Sequence, residues 1–290
     1  MSPFFFFVQV LNAVQYGLVL YLVASGLTLL LGIMGVINLA HGVFYMVGAY
    51  IAFAVAEHLG TFWLSLPIGI VAGLALGAAI ERLMLARLDA GDHLSQVLLS
   101  FGLIILVNEG QRIVFGSDAH AVAMPSGLTA SIPLGDTLAY PVYRVFVCVV
   151  GVAFVAAIHK LMKSTRIGMM LRASAENRDM ARTMGVKVNA IYLGVTAAGV
   201  ACAVAAGVIA APLASVYPGM GDQILILSFV VVVLGGMGSV HGALASALLL
   251  GFVDAFGKQF FPDYAGFLVY AAMIAVLIAR PQGLARSGSA

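Results

Sequence analysis

Apolar residues run along this chain in long unbroken stretches, and the gaps between charges measure them. No Asp, Glu, Lys or Arg occurs from Met1 to Ala56, between Lys187 and Asp222, or between Asp222 and Asp254. A helix crosses the hydrocarbon core of a bilayer with roughly 20 apolar residues, and each of these stretches is longer. The stretches Gly194 to Leu213 and Ile224 to Leu234 show no alternation, whereas a membrane-barrel strand alternates apolar and polar positions over about ten residues. The pattern predicts an all-α polytopic membrane protein with eight to ten transmembrane helices. Spans are expected at 62–81, 94–115, 142–161, 189–212, 222–238, 240–257 and 264–279. The first 56 residues hold either two passes or one pass plus a re-entrant segment. Two passes make nine spans with the N-terminus outside; the alternative makes eight, with it inside.

Composition excludes a water-soluble domain. Of 290 residues, 62% are hydrophobic and only 9% charged, against about 25% charged in a soluble domain. The 33 glycines suit close helix packing in lipid. Cys148 and Cys202 lie inside apolar runs and read as buried thiols, with no disulfide or metal spacing. Four phenylalanines and no basic region at the N-terminus read as the start of the first span, not as a cleavable leader. Arg286 to Ala290 form a short polar tail.

The few charges orient the helices. Seven of the 14 Lys and Arg residues lie between His159 and Lys187: Lys160, Lys163, Arg166, Arg172, Arg178, Arg182 and Lys187. By the positive-inside rule this loop, about 164–188, faces the cytoplasm, as do the Arg82–Arg87 loop and the C-terminus with Arg280 and Arg286. The connection 116–141 has no Lys or Arg, carries Asp118 and Asp136, and belongs on the periplasmic side. Trp63, Tyr140 and Tyr143 are expected in the interfacial aromatic belt.

Two stretches interrupt the apolar pattern. Gly32-Ile33-Met34-Gly35 leads into Asn38, His41 and Gly42, and Gly235-Gly236-Met237-Gly238 leads into Ser239, His241 and Gly242. Each is expected between half-segments too short for comfortable full spans. The shared form points to an internal repeat, and repeated transporters place discontinuous helices near the midplane. Asn38, His41, Gly42, Gly235, Gly238, Ser239 and His241 are therefore candidates for a translocation path; the bland alternative is polar side chains capping broken helix ends. Asn12 and Gln15 share one face of the first span and read as interhelical hydrogen-bond donors and acceptors. Among Asn108, Glu109, Gln111 and Arg112, the Glu109–Arg112 spacing suits an ion pair at a span end, as does Asp254 with Lys258.

Enzyme signatures are lacking. The chain has no phosphate-binding glycine loop with its Lys, no His-Glu-x-x-His, and no metal-ligand spacing among His41, His159 and His241. ATP hydrolysis is not expected of it, no cofactor or metal is expected on it, and nothing supports nucleic-acid binding. The cytoplasmic loop carries the clearest handle. Arg172 to Met184 is rich in helix formers, with Arg172 and Glu176 spaced for i,i+4 pairing and Met180 and Met184 on one stripe. Ala181 and Gly185 form a small-residue notch where another surface could approach; the alternative is a solvated loop that only sets topology.

Four motifs resemble the branched-chain amino acid permease family of ABC importers: Gly35-Val36-Ile37-Asn38-Leu39-Ala40-His41-Gly42, the loop Arg172 to Asn177 through Met184-Gly185-Val186, Val232 to Ser239, and Arg280-Pro281-Gln282-Gly283-Leu284. They span nearly the whole chain, in order. The resemblance implies one transmembrane domain over 1–290 in the bacterial inner membrane. Its coupling loop, with Arg172, Glu176, Asp179, Ala181 and Gly185, would sit on a separate ATPase subunit that binds the ATP. ABC permeases in general show Glu-Ala-Ala, three residues, then Gly in that loop. Here Asp179-Met180-Ala181, Arg182-Thr183-Met184 and Gly185 fill the frame, with Asp for Glu and Met for the first Ala. The implied partners are a second permease, two ATP-binding subunits and a periplasmic solute-binding protein. The implied solute is a neutral aliphatic amino acid, with urea or short amides as the alternative. An ion-coupled secondary transporter would want a buried carboxylate at the midplane, and every acidic residue here falls near a span end or in a loop. A passive channel and a membrane anchor complete the rivals.

Overall fold

The computed structural model describes residues 3–88, 92–133, 139–281 and 283–284; Asp136, Gln282 and the tail from Arg286 to Ala290 lie outside them. The described chain forms α1 (Pro3–Leu29, widening into a π turn over Leu30–Met34), α2 (His41–Leu59), α3 (Ser65–Leu83), α4 (His93–Phe115), a hairpin of β1 (Ser131–Pro133) and β2 (Ala139–Pro141), then α5 (Val142–Ser164), α6 (Arg166–Glu176), α7 (Arg178–Thr183), α8 (Val188–Ala210), α9 (Met220–Gly235), α10 (Val240–Phe260) and α11 (Ala265–Ala279). Eight of these segments are long and apolar enough to cross a membrane. With 16 residues, α9 spans about 24 Å at 1.5 Å per residue, short of the roughly 30 Å hydrocarbon core. The protein is a multi-pass membrane protein.

Helices α1 and α8 form the centre. The most apolar window of α1 is 89% buried and that of α8 78%, against 17% for α4 and α5 and 11% for α11. Lipid tails are as apolar as leucine, so helices gain by approaching closely where side chains are small. At the α1–α8 crossing a Cβ on Gly26 would stand 2.6 Å from the Gly199 carbonyl oxygen. Gly69, Gly73 and Gly77 recur every fourth residue along α3 and meet Val208, Ala201 and Ala197 of α8. On the other side of α1, Gly17 lies against Ala247 and Leu248 of α10, and Gly251 against Ala13.

Contacts between helix ends set the directions. Helices α6 and α7, with Arg166, Arg172, Arg178 and Arg182, mark one end of the bundle, called here the basic end. Thr196, two turns into α8, donates 2.7 Å to Glu81 near the end of α3 and lies 3.5 Å from the Met34 sulfur. Thus α1 and α3 both finish at the basic end. The C-terminal strand of chain returns there too, with the Leu284 N–H on the Leu234 carbonyl at 2.7 Å. At the far end, Gln9 of α1 meets Gln259 of α10 at 3.1 Å and the Tyr143 hydroxyl donates 2.8 Å to the Ile209 carbonyl. The start of α1 therefore sits at the far end, and the chain makes nine passes among the described residues if short α9 is included.

The second pass does not start where the first stops. His41, the first residue of α2, reaches the Val23 carbonyl at 2.9 Å, eleven residues back from Met34. That is about 16 Å along a helix, so Gly35 to Ala40 climb back into the bundle before α2 begins. The first 56 residues thus combine two passes with a re-entrant segment.

Three expectations are corrected. The segments flanking the first break are full length, since Phe4–Met34 runs 31 residues and His41–Leu59 runs 19. Of the expected aromatic belt only Trp63 is exposed; Tyr140 and Tyr143 are buried, because α5 packs its first turn inward where the Tyr143 hydroxyl finds a carbonyl. The helix expected over Arg172 to Met184 is two helices. Asn177 adopts extended backbone (φ −151°, ψ 104°) and its side chain accepts from the Met180 N–H at 2.9 Å, capping α7.

Overpacking the central crossing should unfold the bundle locally. Gly26→Val is expected to destabilise by at least the 1–3 kcal/mol typical of overpacking, read as a lower melting temperature of the solubilised protein. Gly102→Ala, where an added Cβ meets nothing within 4 Å, should leave melting unchanged; equal effects would show that the crossing is not tightly held.

Candidate functional site

The first break is held from three sides. Gly35 takes φ +64° and its N–H bonds the Leu31 carbonyl, a conformation glycine adopts without Cβ strain. The Ile37 N–H donates to Gln96 Oε1 of α4 at 3.3 Å. Asn38 turns the chain by accepting the Ala40 N–H on Oδ1 at 3.0 Å. Gly42 lies against Gly221 at the start of α9, where a Cβ would overlap the Gly221 carbonyl. Asn38 and His41 are both buried. A carbonyl only accepts, so the neutral His41 ring carries its proton on Nε2 and leaves Nδ1 as an acceptor. His41 Nδ1 and Asn38 Nδ2 are buried with no hydrogen-bond partner. Capping therefore accounts for part of the polarity at this break and leaves one acceptor and one donor over.

The second break differs. Gly236 and Gly238 take φ +88° and +83°, and Gly235 packs against Gly242 and Ala243 so that α9 and α10 form a tight hairpin. Ser239 caps α10 by accepting the Gly242 N–H at 3.1 Å. His241 is exposed at the basic end, and its Nε2 lies 2.9 Å from Nδ1 of His159 in α5; among the described residues no group of three or more potential metal ligands forms. Gly32 and Gly238 touch backbone to backbone, so the two breaks meet, although only the first presents spare buried polar atoms.

The basic loop is a folded arm. Thr165 ends α5 by donating to the Leu161 carbonyl at 2.7 Å and starts α6 by accepting from Gly168 N at 3.1 Å. Arg172 donates to the Met162 carbonyl instead of pairing with Glu176, which points to solvent; the backbone carbonyls at the end of α5 lie closer to hand. Asp179 is 4.0 Å from Arg182, on the surface, where such a pair contributes little. Gly185 takes φ +85°, with its N–H on the Arg182 carbonyl and the Val186 N–H on the Ala181 carbonyl, both at 3.0 Å. This is a Schellman cap, and it corrects the expected notch: Ala181 is buried against the bundle, and Gly185 is there for its backbone. Beside the exposed Asp179 and Arg182, the exposed apolar residues here are Met180 of α7 and Met184 just past its end, 66% and 81% exposed.

Where α7 meets the membrane helices lies a cavity of about 330 Å³, lined among others by Val36, Glu81, Gln96, Arg178, Asn189 and Tyr192. Arg178 opens α7 and stacks its guanidinium 4.9 Å over the Tyr192 ring of α8, a cation–π contact. Glu81 is 5% exposed and is bonded to Thr196. Sequence reading placed Glu81 correctly at a span end but missed its burial, and missed Gln96 and Tyr192 altogether. A polar residue within an apolar span was the available signal. One cavity thus joins the loop helix through Arg178 to the break through Val36 and Gln96.

The family model for a branched-chain amino acid transport system permease component matches residues 9–277. The chain is 31% identical to the high-affinity branched-chain amino acid transport system permease protein BraD of Pseudomonas aeruginosa, covering 95% of this chain and 94% of that one. It is 28% identical to LivH of Escherichia coli, covering 97% and 95%, and 30% identical to LivM of the same organism, covering 89% and 66%. No solved structure matches.

Thr196→Val should remove the hydrogen bond to the buried Glu81 carboxylate, at a cost of about 1–3 kcal/mol, seen as a lower melting temperature; no change would show the bond to be idle.

Proposed function

We propose a mechanism that proceeds from one premise: the chain belongs to the branched-chain amino acid transport system permease family, and it is a transport subunit, not an enzyme. The solute we propose is a neutral aliphatic amino acid such as leucine, isoleucine or valine, imported across the bacterial inner membrane. The basic end faces the cytoplasm, in keeping with its Lys and Arg excess. A separate pair of ATP-binding subunits supplies the energy, a second permease of similar kind completes the membrane part, and a periplasmic binding protein delivers solute at the far end. The pairing draws support from the chain's likeness to both LivH and LivM, two permease proteins of one organism.

The observation that carries the mechanism is the α7 arm. Its outward face offers Met180 and Met184, a flexible apolar pair suited to seating in a groove of another subunit. Its inward end is tied by Arg178 to Tyr192, beside a cavity that also touches Val36 next to the Gly35 break. A push on α7 is thereby delivered to α8 and to the break, where Asn38 and His41 hold spare polar atoms along the solute route. ATP-driven closure of the partner subunits would move the arm, and the break would switch access from one side to the other.

In the reconstituted importer, Met180→Glu with Met184→Glu should cut ATP-driven leucine uptake at least tenfold, about 1.4 kcal/mol of docking free energy, because two carboxylates cannot enter an apolar groove unpaired. Unaltered uptake would remove α7 as the docking element. Transport by this chain alone in sealed vesicles, without nucleotide or companion subunits, would overturn the ATP-driven reading. His41→Phe should lower uptake severalfold while the subunits still copurify; unchanged uptake would return His41 to a purely structural role.

A further inference from the structure

The far end of the bundle holds a second cavity, of about 420 Å³, whose lining is unusual for a membrane interior. Arg144 of α5, and Asp254 and Lys258 of α10, all face it. Lys258 Nζ lies 2.7 Å from Asp254 Oδ2 and 5.4 Å from the Tyr16 ring centroid. Arg144 Nη1 donates 2.6 Å to the side-chain oxygen of Asn12, a neutral partner. Asp254 pairs with Lys258 alone, and Arg144 leaves the lining with an excess positive charge. Arg144 is half-buried in the first turn of α5, and an amide partner leaves the guanidinium's charge and most of its five donors open to a ligand. As a hydrogen-bond bridge between α1 and α5, Asn12 needed no charged partner; as the floor of an anion site, Arg144 is in place.

The same cavity has an apolar wall of Val19, Leu213 and Ile224, closed by Tyr45. Gln9, Asn12, Tyr16 and Val19 fall on one stripe of α1, and four residues further along that stripe Val23 holds His41. The cavity therefore opens at the far end and points down α1 toward the Gly35 break. On the other side of the break, at the basic end, lies the separate cavity lined by Val36, Glu81 and Arg178.

We propose that the far-end cavity is a binding site for the zwitterion of a small aliphatic α-amino acid. Arg144 takes the carboxylate, for which a guanidinium offers two parallel N–H donors. Asp254 takes the ammonium, sharing its four lone-pair sites between the ligand and Lys258. Val19, Leu213 and Ile224 take the aliphatic side chain. This rests on the reading of the chain as a branched-chain amino acid permease and adds a residence for the solute inside this one subunit.

The test uses the complete importer in nanodiscs, in a background of Cys148→Ser and Cys202→Ala, with Ile224→Cys as a reporter for maleimide labelling. Leucine should slow labelling at least threefold. At equal concentration 4-methylpentanoate, which lacks the ammonium, and 3-methylbutylamine, which lacks the carboxylate, should not. Arg144→Gln should abolish the protection and Arg144→Lys restore part of it, with copurification of the partner subunits as the assembly control. No protection by leucine, equal protection by 4-methylpentanoate (a site for any carboxylate or lipid acid), or full protection in Arg144→Gln would each overturn the site. ATP-driven leucine import by the unsubstituted importer is measured alongside. Import without protection refutes the site alone; absence of import refutes the reading it rests on.

Discussion

Close approach of helix backbones at small residues is the constraint on which this molecule depends. In a bilayer no hydrophobic gain draws one apolar helix to another, so association rests on dispersion contacts and on hydrogen bonds between helices. The Gly26–Gly199 crossing brings α1 and α8 together, and the glycine stripe of α3 and the Gly17–Gly251 contact of α10 build outward from that pair. Because α1 and α8 are buried nearly all round, the remaining helices are free to carry polar groups inward. Arg144, Glu81, Gln96 and Asp254 all sit on those surrounding helices, at positions where a neighbour or a cavity receives them.

The breaks follow from the same packing. A broken helix exposes backbone groups that lipid cannot satisfy, so it is tolerated only inside protein or beside a water-filled space. Gly32 and Gly238 bring the two breaks into contact within the bundle, and Gln96 and Asn38 satisfy the loosened backbone at the first. The result is a re-entrant turn lying between a polar cavity at each end of the molecule, with His41 buried at its inner side. A segment so placed has few regular backbone bonds of its own and is held instead by Gln96 and by the close contact of Gly42 with Gly221.

The loop packs beside that segment as a short arm. Helix α6 is anchored to α5 by the Thr165 cap and by Arg172, while α7 is tied to α8 by Arg178. The arm therefore bridges two helices of the bundle instead of hanging from one. Its backbone is closed by the Gly185 cap, and Met184 just beyond it lines a groove with Leu161 of α5 and Ile191 of α8.

Much of this was legible in the residues themselves. Long uncharged runs can only be membrane helices, and seven spans were placed to within a few residues because hydrophobic length is a local property. The clustering of Lys and Arg marked the loop that folds as α6 and α7, and the Gly-x-Met-Gly stretches marked the breaks, since glycine records backbone need directly. The loop was legible as a helical arm, yet its break at Asn177 and the role of Gly185 depended on which backbone groups found partners. The aromatic belt failed for Tyr143 because burial is decided by a distant carbonyl on Ile209. The cavities were invisible for the same reason: Arg144 and Asn12 stand 132 residues apart, Thr196 and Glu81 115 apart. Periodicity and composition describe what each helix wants to bury. Which polar side chains then share a pocket is decided only when glycine contacts fix the rotation of one helix against the next.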